Sequence, residues 1–229
     1  MAHERAGQLA QPSDLIDIAE LVTAYYTRTP DADNPDQQVA FGTSGHRGSA
    51  LDTAFNEAHI LAITQAIVDY RTDQGTTGAI FIGRDTHALS EPAMVSALEV
   101  LLANEVEVRV DDRGRYTPTP AVSHAILTNP GTDGIVITPS HNPPRDGGFK
   151  YNPPTGGPAD TDATDWIAAR ANEYLRAGLE GVKRVPVSGV LDERCVKHNY
   201  LDTYVADLEN VVDMKAIKEA GVRIGADPM

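Results

Sequence analysis

The chain has 229 residues, of which 33 are acidic and 19 are basic, so its formal net charge is −14. This charge makes nucleic acids and anionic membranes poor partners, because their phosphate groups would be repelled. No apolar run approaches the roughly 18 residues that span a bilayer, the first residues lack the apolar core of a secretory signal, and Cys195 is the single cysteine. We therefore expect a cytoplasmic protein with no nucleic-acid or membrane partner and no internal disulfide.

Helical and strand patterns alternate along the first two-thirds of the chain. The segment PSDLIDIAELVTAYYT predicts a first helix with Ser13 as its N-cap. A short strand, QQVAF, then runs into the glycine-bearing loop GTSGHRG. The spacing of apolar side chains predicts a second helix from Asn56 to Asp73.

The next elements lead to an unusual polar segment. AIFIGRD is typical of a buried strand, and LSEPAMVSALEVLLANE predicts a helix with Ser90 as its N-cap. VEVRV predicts another strand, and the residues from Pro118 to Leu127 predict a short helix. DGIVITPS is a strand that carries the chain into the segment ITPSHNPPRDGGFKYN.

This order of elements predicts a layered α/β/α domain with a mixed, mainly parallel sheet. Ligands bind such sheets beyond the carboxyl ends of the strands. Three of the predicted strands end in the loops GTSGHRG, GRDTH and TPSHNP. We therefore expect these three loops to open on one edge of the sheet.

The pattern changes after Asn152, where a loop rich in Pro and Gly is followed by a predicted helix from Thr161 to Leu179. We divide the chain into a first domain, residues 1–190, and residues 191–229, a linker and the incomplete beginning of a second, similar domain. The latter segment contains LDTYVADLENVVDMKAIKEAG, helical in two pieces, and VRIGADPM, a strand. A final strand without a crossover predicts the front part of a longer protein, the alternative being a disordered or edge-capping C-terminus. An unfinished domain would expose apolar surface and favour association, for instance as a homodimer.

The surroundings of Ser140 do not match a serine hydrolase. Thr138 and Asn142 stand where the nucleophile elbow requires glycines. His141 is a poor general base for Ser140, since neighbouring side chains in extended structure point to opposite faces. The sequence also lacks a histidine or cysteine metal motif, a dinucleotide fingerprint and a Walker A lysine.

Phosphoryl chemistry suits this segment better. A serine that carries a phosphoryl group needs cations and an open approach rather than a triad. Lys150 and Arg47 could supply charge and hydrogen bonds, and a divalent metal could bind the phosphate together with hard carboxylates. The structural alternative is a turn in which Ser140 only bonds the backbone. The residues alone leave both interpretations open.

Several motifs, in the right order, resemble the α-D-phosphohexomutase superfamily. TPSHNP with Ser140 in the middle, followed by DGGFKYN, resembles the phosphoserine loop of the superfamily. FGTSGHRG resembles its N-terminal loop, GRDTHALSEP its next strand, loop and helix, and RYTPTPAVSHAI the segment before the active-site strand. Together with RAGQLAQPSDLIDIAELVTAYY, the chain is similar over nearly its whole length to the bacterial glucose-specific phosphoglucomutases, with residues 1–190 as domain I.

The resemblance implies interconversion of glucose 1-phosphate and glucose 6-phosphate, through a phosphoserine and a glucose 1,6-bisphosphate intermediate, with Mg²⁺ as the ion. The partner would be a phosphorylated hexose. It implies catalytic roles for Ser140 (the phosphorylated residue), Lys150, Arg47 and His141. It implies substrate or phosphate contacts for Thr43, Ser44, His46 and Asn142, and a metal contact for Ser140 through its phosphate.

The chain departs from this superfamily in what it lacks. The metal-binding DGDGDR-type loop, the sugar-specificity loop and the C-terminal phosphate-binding domain are absent from these residues. We therefore expect the 229-residue chain to have no substantial mutase activity by itself, because half of the site that orients the substrate is missing. Two alternatives stay open: a phosphomannomutase or phosphoglucosamine mutase, and a non-catalytic phosphosugar-binding module.

Overall fold

The computed structural model describes residues 5–42 and 45–227. In these ranges the α-helices are α1 (Ile18–Thr27), α2 (Glu57–Asp73), α3 (Ser90–Ala103), α4 (Thr119–Thr128), α5 (Thr161–Arg176), α6 (Tyr200–Asp207) and α7 (Met214–Glu219). The strands are β1 (Phe41–Gly42), β2 (Gly45–Ser49), β3 (Ile80–Arg84), β4 (Val108–Asp111), β5 (Asp133–Ile137), β6 (Asp146–Asn152) and β7 (Val196–His198). Short 3₁₀ helices span Pro12–Asp14, Pro35–Gln37, Ala50–Asp52 and Leu208–Asn210.

The strands form one mixed sheet in the order β1-β2-β6-β5-β3-β4-β7. The pairs β5–β3, β3–β4 and β4–β7 are parallel, whereas β6 runs antiparallel to β5 and β2, and β1 runs antiparallel to β2. Only β1 and β6 therefore oppose the common strand direction among the described residues. Arg84 pairs with Ile137, so β3 and β5 end level. The predicted mixed, mainly parallel α/β sheet is confirmed.

Helices cover both faces of this sheet because strand side chains alternate between the faces. Ile80 and Ile82 of β3 join a core that includes residues of α1, α2, α3 and α5. Phe81, between them, packs instead with residues of α4 and with Tyr200 of α6. The side chains on both faces are fully buried or nearly so. This burial, at about 25 cal/mol per Å² of apolar surface, stabilises the layered α/β/α arrangement.

The loop GTSGHRG does not follow a parallel strand, contrary to the expectation from its sequence. Residues 45–49 form β2, which makes an antiparallel hairpin with β1 at the edge of the sheet. The prediction that three loops leave parallel strand ends is right for the loops after β3 and β5 and wrong for this one. Strand direction depends on partners distant in the chain, so the local pattern could not indicate it.

The sequence prediction also missed β6, whose glycines resemble those of a loop. Gly147 and Gly148 serve close packing instead. A Cβ at Gly147 would lie 2.4 Å from Cε1 of Phe55, and one at Gly148 would lie 2.2 Å from the carbonyl oxygen of Thr138. These approaches allow β6 to lie directly between β5 and β2, next to the Ser140 loop.

The predicted helices are present, but two of their N-caps differ. Ser13 lies in a 3₁₀ helix, and α1 begins at Ile18 with Asp17 as the N-cap. Ser90 is the first residue of α3 rather than its cap, and its hydroxyl donates to Oδ1 of Asp85 at 2.6 Å. At α1 the Asp17 side chain accepts from the Glu20 N–H, whereas at α3 the N-cap position is held by Leu89, which has no capping side chain.

The part of the chain after residue 190 is only partly packed on this sheet. The predicted final strand is wrong for residues 222–227, which are irregular; residues 228–229 lie outside the described part. β7 was not predicted and pairs with β4, while the Tyr200 hydroxyl donates to the carbonyl of Ile82 at 3.3 Å. Exposed apolar side chains follow, namely Leu201, Val205, Val211, Val212, Met214, Ile217, Val222 and Ile224. The division at residue 190 and the association of chains remain predictions.

None of the helices in the described ranges is long and apolar enough to cross a membrane.

Candidate functional site

Ser140 lies in the loop that follows β5, in a conformation that is unusual for a serine. Its φ is +62°, the left-handed region that costs a non-glycine residue about 1–2 kcal/mol. Its backbone N–H donates to Oγ1 of Thr138 at 2.9 Å, and the Thr138 N–H donates to the carbonyl of Gly148 at 2.9 Å. Thr138 thus makes the side-chain-to-backbone turn that was the structural alternative for Ser140. The Ser140 hydroxyl is left exposed and directed toward a cation.

That cation is Lys150, which the antiparallel strand β6 brings back beside the serine. Its Nζ donates to Oγ of Ser140 at 2.7 Å. Partial burial lowers the pKa of Lys150 and the positive charge of Arg47 lowers it further, while Asp85 opposes both effects. A lysine whose pKa is lowered exchanges its proton more readily near neutral pH. The pair therefore has the geometry for proton transfer at the serine oxygen.

Arg47 lies on β2, where it pairs with Gly148 of β6. Its Nη1 donates to Oδ1 of Asn142 at 3.1 Å, and Nδ2 of Asn142 donates to Oδ2 of Asp146 at 3.1 Å. Asn142 therefore connects the arginine to the serine loop. The structure brings Ser140, Lys150, Arg47 and Asn142 together, and their catalytic and binding roles stay predictions.

His46 is adjacent to Arg47 in sequence but lies on the opposite face of β2. The residue is 2% exposed, and its ring stacks on Phe55 and on His59 with centroids 5.8 and 5.3 Å apart. Burial and the neighbouring His59 lower the pKa of His46 to about 3, so the ring is neutral near physiological pH. The structure does not bring His46 to Ser140, because adjacent strand residues face opposite ways.

The remaining predicted residues differ in how they are placed. His141 is exposed beside Ser140 on the loop. Thr43 and Ser44 lie outside the described residues, so their predicted phosphate contacts stay predictions.

Residues that were not predicted as site residues hold the serine loop from outside. Nη2 of Arg145 donates to both carboxylate oxygens of Asp52 at 2.7 Å. The imidazole of His87 contacts the carbonyl oxygen of Pro144 at 2.7 Å. The sequence predicted that GRDTH and TPSHNP share an edge of the sheet, which places His87 near the serine loop. It did not indicate that the His87 side chain contacts the carbonyl of Pro144. The ion pair of Arg145 joins segments 93 residues apart, which no local pattern indicates.

This arrangement suits an anion better than a metal. Lys150 and Arg47 flank an exposed hydroxyl with positive charge, which favours a phosphate group. Within residues 5–42 and 45–227, no three histidine, cysteine, aspartate or glutamate side chains are grouped as metal ligands. Mg²⁺ prefers six oxygen ligands. These residues alone therefore do not fit a resident magnesium ion.

Comparisons of the sequence and of the fold with known proteins agree on one family. Residues 38–177 match the family described as phosphoglucomutase/phosphomannomutase, alpha/beta/alpha domain I. A phosphoglucomutase from Komagataeibacter xylinus is 58% identical over 98% of this chain, and a phosphoglucosamine mutase from Thermus thermophilus is 31% identical over 76% of it. The crystal structure of parafusin, a phosphoglucomutase from Paramecium, in its open form, superposes with a TM-score of 0.65 at 22% identity, over 83% of this chain and 37% of its own. This last likeness shows the fold.

The chain is much shorter than these relatives. It spans 42% of the length of the Komagataeibacter protein and 38% of the length of the Thermus protein.

Proposed function

We propose that this chain, which belongs to the phosphoglucomutase/phosphomannomutase α/β/α domain I family, carries the phosphoserine half of a phosphoglucomutase. The whole protein would interconvert glucose 1-phosphate and glucose 6-phosphate through glucose 1,6-bisphosphate. The observation that carries the proposal is the 2.7 Å hydrogen bond from Nζ of Lys150 to Oγ of a left-handed, exposed Ser140. A serine with only a turn-forming role has no need of a lysine on its hydroxyl.

The chemistry follows from the two atoms. In one direction, a sugar hydroxyl attacks the phosphorus of phosphoserine, the new oxygen–phosphorus bond forms, and the bond to Oγ of Ser140 breaks. Lys150 donates its proton to that departing oxygen, for which it is already placed. In the reverse direction, Oγ attacks a phosphorus of the bisphosphorylated sugar, Lys150 takes the serine proton, and the bond from that phosphorus to the sugar oxygen breaks. The departing sugar oxygen takes a proton from solvent or from an acid on another segment. The proton of the attacking sugar hydroxyl passes to solvent or to a base on another segment.

Arg47 and Asn142 act on the phosphate rather than on the proton. The guanidinium of Arg47 adds positive charge at the loop and offers hydrogen bonds to the equatorial oxygens. Asn142 keeps Arg47 in place. We assign His141 to the exposed rim of the site, where a substrate oxygen could reach it. His46 takes no part in binding, since it supports β2 from the core.

Mg²⁺ would neutralise the transferring phosphoryl group when bound. Within the described residues the phosphate on Ser140 would be its ligand, since no group of three acidic, histidine or cysteine side chains is present there to hold it. We place the protein in the cytoplasm with a phosphorylated hexose as its substrate. A phosphomannomutase or phosphoglucosamine mutase is the alternative, because the sugar-selecting residues are not in this part.

Intact mass of the protein after incubation with glucose 1,6-bisphosphate tests the proposal. We expect a gain of one phosphoryl group, absent from Ser140→Ala and located on Ser140 by peptide mapping. Binding of the bisphosphate without any mass gain would indicate the non-catalytic module instead. A separate assay of mutase turnover tests the expectation that this chain alone is nearly inactive. Turnover close to that of a full-length relative would contradict that expectation.

A further inference from the structure

The loop that carries Ser140 has few ways of holding itself. Pro139, Pro143 and Pro144 have no backbone N–H, so they donate nothing to the loop. Its internal backbone bonds run from the N–H of Asn142 to the carbonyl of Pro139 at 3.4 Å and from the N–H of Asp146 to the carbonyl of Pro143 at 2.9 Å. Donors on other segments that bond its carbonyl groups therefore add to the few backbone bonds that the loop makes within itself.

The loop between β3 and α3 supplies such donors at both ends of the serine loop. The N–H of Asp85 donates to the carbonyl of Ile137, the residue that closes β5, at 3.1 Å. The imidazole Nε2 of His87 meets the carbonyl of Pro144 at 2.7 Å. Ser140 lies between these two anchor points. The anchor at Ile137 uses backbone atoms only, whereas the anchor at Pro144 depends on the identity of a side chain.

The hydrogen bonds of His87 define which of its nitrogens carries the proton. The backbone N–H of Leu89 donates to Nδ1 at 3.1 Å, so Nδ1 must be the acceptor. The neutral ring then carries its proton on Nε2, and this N–H donates to the carbonyl of Pro144. The contact is therefore a directed hydrogen bond with a fixed tautomer.

His87 is itself mounted on a rigid support. Its N–H donates to Oδ1 of Asp85 at 2.9 Å, the same oxygen that accepts from the hydroxyl of Ser90, and its carbonyl accepts from the Ser90 N–H at 3.0 Å. Ser90 begins α3, a helix largely buried against the sheet. The ring is thus connected to the core through the start of a helix.

We propose that His87 is a positioning residue, which holds the Ser140 loop through its Nε2–H and so keeps Ser140 within reach of Lys150. This inference rests on the proposed phosphoserine function. A small misplacement of reacting groups has a large effect on rate, so a bond at one end of a proline-rich loop can matter at its centre. The role differs from those of Lys150 and Arg47, because His87 acts on the loop and not on the substrate.

Three variants of the 229-residue protein separate this role from general stability. His87→Phe keeps the ring shape and removes the donor. His87→Gln retains an amide N–H near the position of Nε2. His124→Phe is the matched control, since His124 also bonds through Nε2, to Asp207 at 3.1 Å, but lies on α4 away from the loop.

The first measurement is amide hydrogen exchange over residues 138–149, together with long-range ¹H–¹⁵N spectra of the imidazoles. We expect the spectra to show His87 protonated on Nε2. We expect exchange in this segment to increase about fivefold in His87→Phe, the loss of one neutral hydrogen bond, with partial recovery in His87→Gln and no change in His124→Phe. Unchanged exchange in His87→Phe, or an Nδ1–H tautomer, would overturn the proposal. Faster exchange spread equally over α3 and the whole sheet would also overturn it, since that indicates a structural role.

The second measurement is the rate at which glucose 1,6-bisphosphate phosphorylates Ser140 in the same variants. We expect a slower rate in His87→Phe and recovery in His87→Gln. If the wild-type protein is phosphorylated and His87→Phe is phosphorylated at the same rate, the positioning role is contradicted. If the wild-type chain takes up no phosphate, the proposed function fails, while the exchange data still decide whether His87 holds the loop.

Discussion

The two ends of β5 place a cation beside an oxygen in opposite ways. At the amino end, Asp133 is completely buried, and its Oδ2 accepts from Nε of Arg71 at 2.8 Å and from the Tyr151 hydroxyl at 2.7 Å. At the carboxyl end, Lys150 donates to an exposed Ser140. The first group is enclosed by the core, whereas the second is open to a ligand. One strand thus carries a structural charge pair at one end and a reactive pair at the other.

Burial is the main cause of the pKa shift at both ends of β5, but it moves the two pKa values in opposite directions. Burial raises the pKa of Asp133, and the ion pair with Arg71 only partly offsets this effect. Partial burial and Arg47 lower the pKa of Lys150. In the core, desolvation makes the charged pair costly to break. At the edge, a smaller desolvation makes a lysine proton easier to transfer.

Asp133→Ala should give the largest effect, and it should be on stability. Removing one member of a buried pair leaves Arg71 without its charge partner and should cost about 3–5 kcal/mol. Urea unfolding monitored by circular dichroism measures this loss, with the exposed Asp165→Ala as the control. A destabilisation no larger than that of Asp165→Ala would contradict the structural role of the amino end.

Lys150→Met should give the largest effect on chemistry. Loss of the proton donor beside Ser140 should slow phosphorylation by glucose 1,6-bisphosphate about 100-fold. Lys150→Arg keeps the charge but cannot exchange a proton near neutral pH, so it should restore little of the rate. Quenched-flow sampling with intact mass measures both. Full recovery in Lys150→Arg would show that Lys150 acts through charge alone.

A pH dependence should arise from His46, which supports β2 from the core side. Its pKa is lowered from 6.5 to about 3 in the folded chain, so the unfolded chain binds more protons between these values. Stability from this group is therefore complete above pH 6.5 and falls as the pH decreases toward 3, by about 2 kcal/mol between pH 8 and pH 5. Unfolding free energies of wild type and His46→Phe over this range isolate the contribution. Parallel pH profiles of the two proteins would rule it out.

Ser140→Gly should give the smallest effect, a gain in stability. Glycine adopts a positive φ without strain, so relief of the left-handed serine should raise the free energy of unfolding by about 0.5–1 kcal/mol after its greater unfolded entropy is included. Thr53→Gly, at φ +58°, is the control at a similar conformation far from Lys150. Both variants should be stabilised in thermal unfolding, and only Ser140→Gly should lose phosphate uptake. A loss of stability specific to Ser140→Gly would mean that the hydroxyl has a structural role.

The amino acid sequence by itself determined the order of the helices and most of the strands, the mixed α/β class and the segment that carries Ser140. These features depend on local periodicity, on short turn residues and on a motif within a few positions. The same motif contains Lys150 and Asn142, which the structure places near Ser140, while their catalytic and binding roles stay predictions. The segment from Ser140 to Lys150 contains one reversal of chain direction, between β5 and the antiparallel β6.

Only the tertiary structure decided which residues face the site. The direction of β2 and β6 depends on partners far along the chain, and the close approaches at Gly147 and Gly148 made β6 a strand rather than a loop. Strand alternation then turned Arg47 toward Ser140 and His46 into the core. The hydrogen bond of His87 crosses 57 residues of sequence. Such contacts arise from packing, because side-chain orientation is fixed only when the layers of the domain meet.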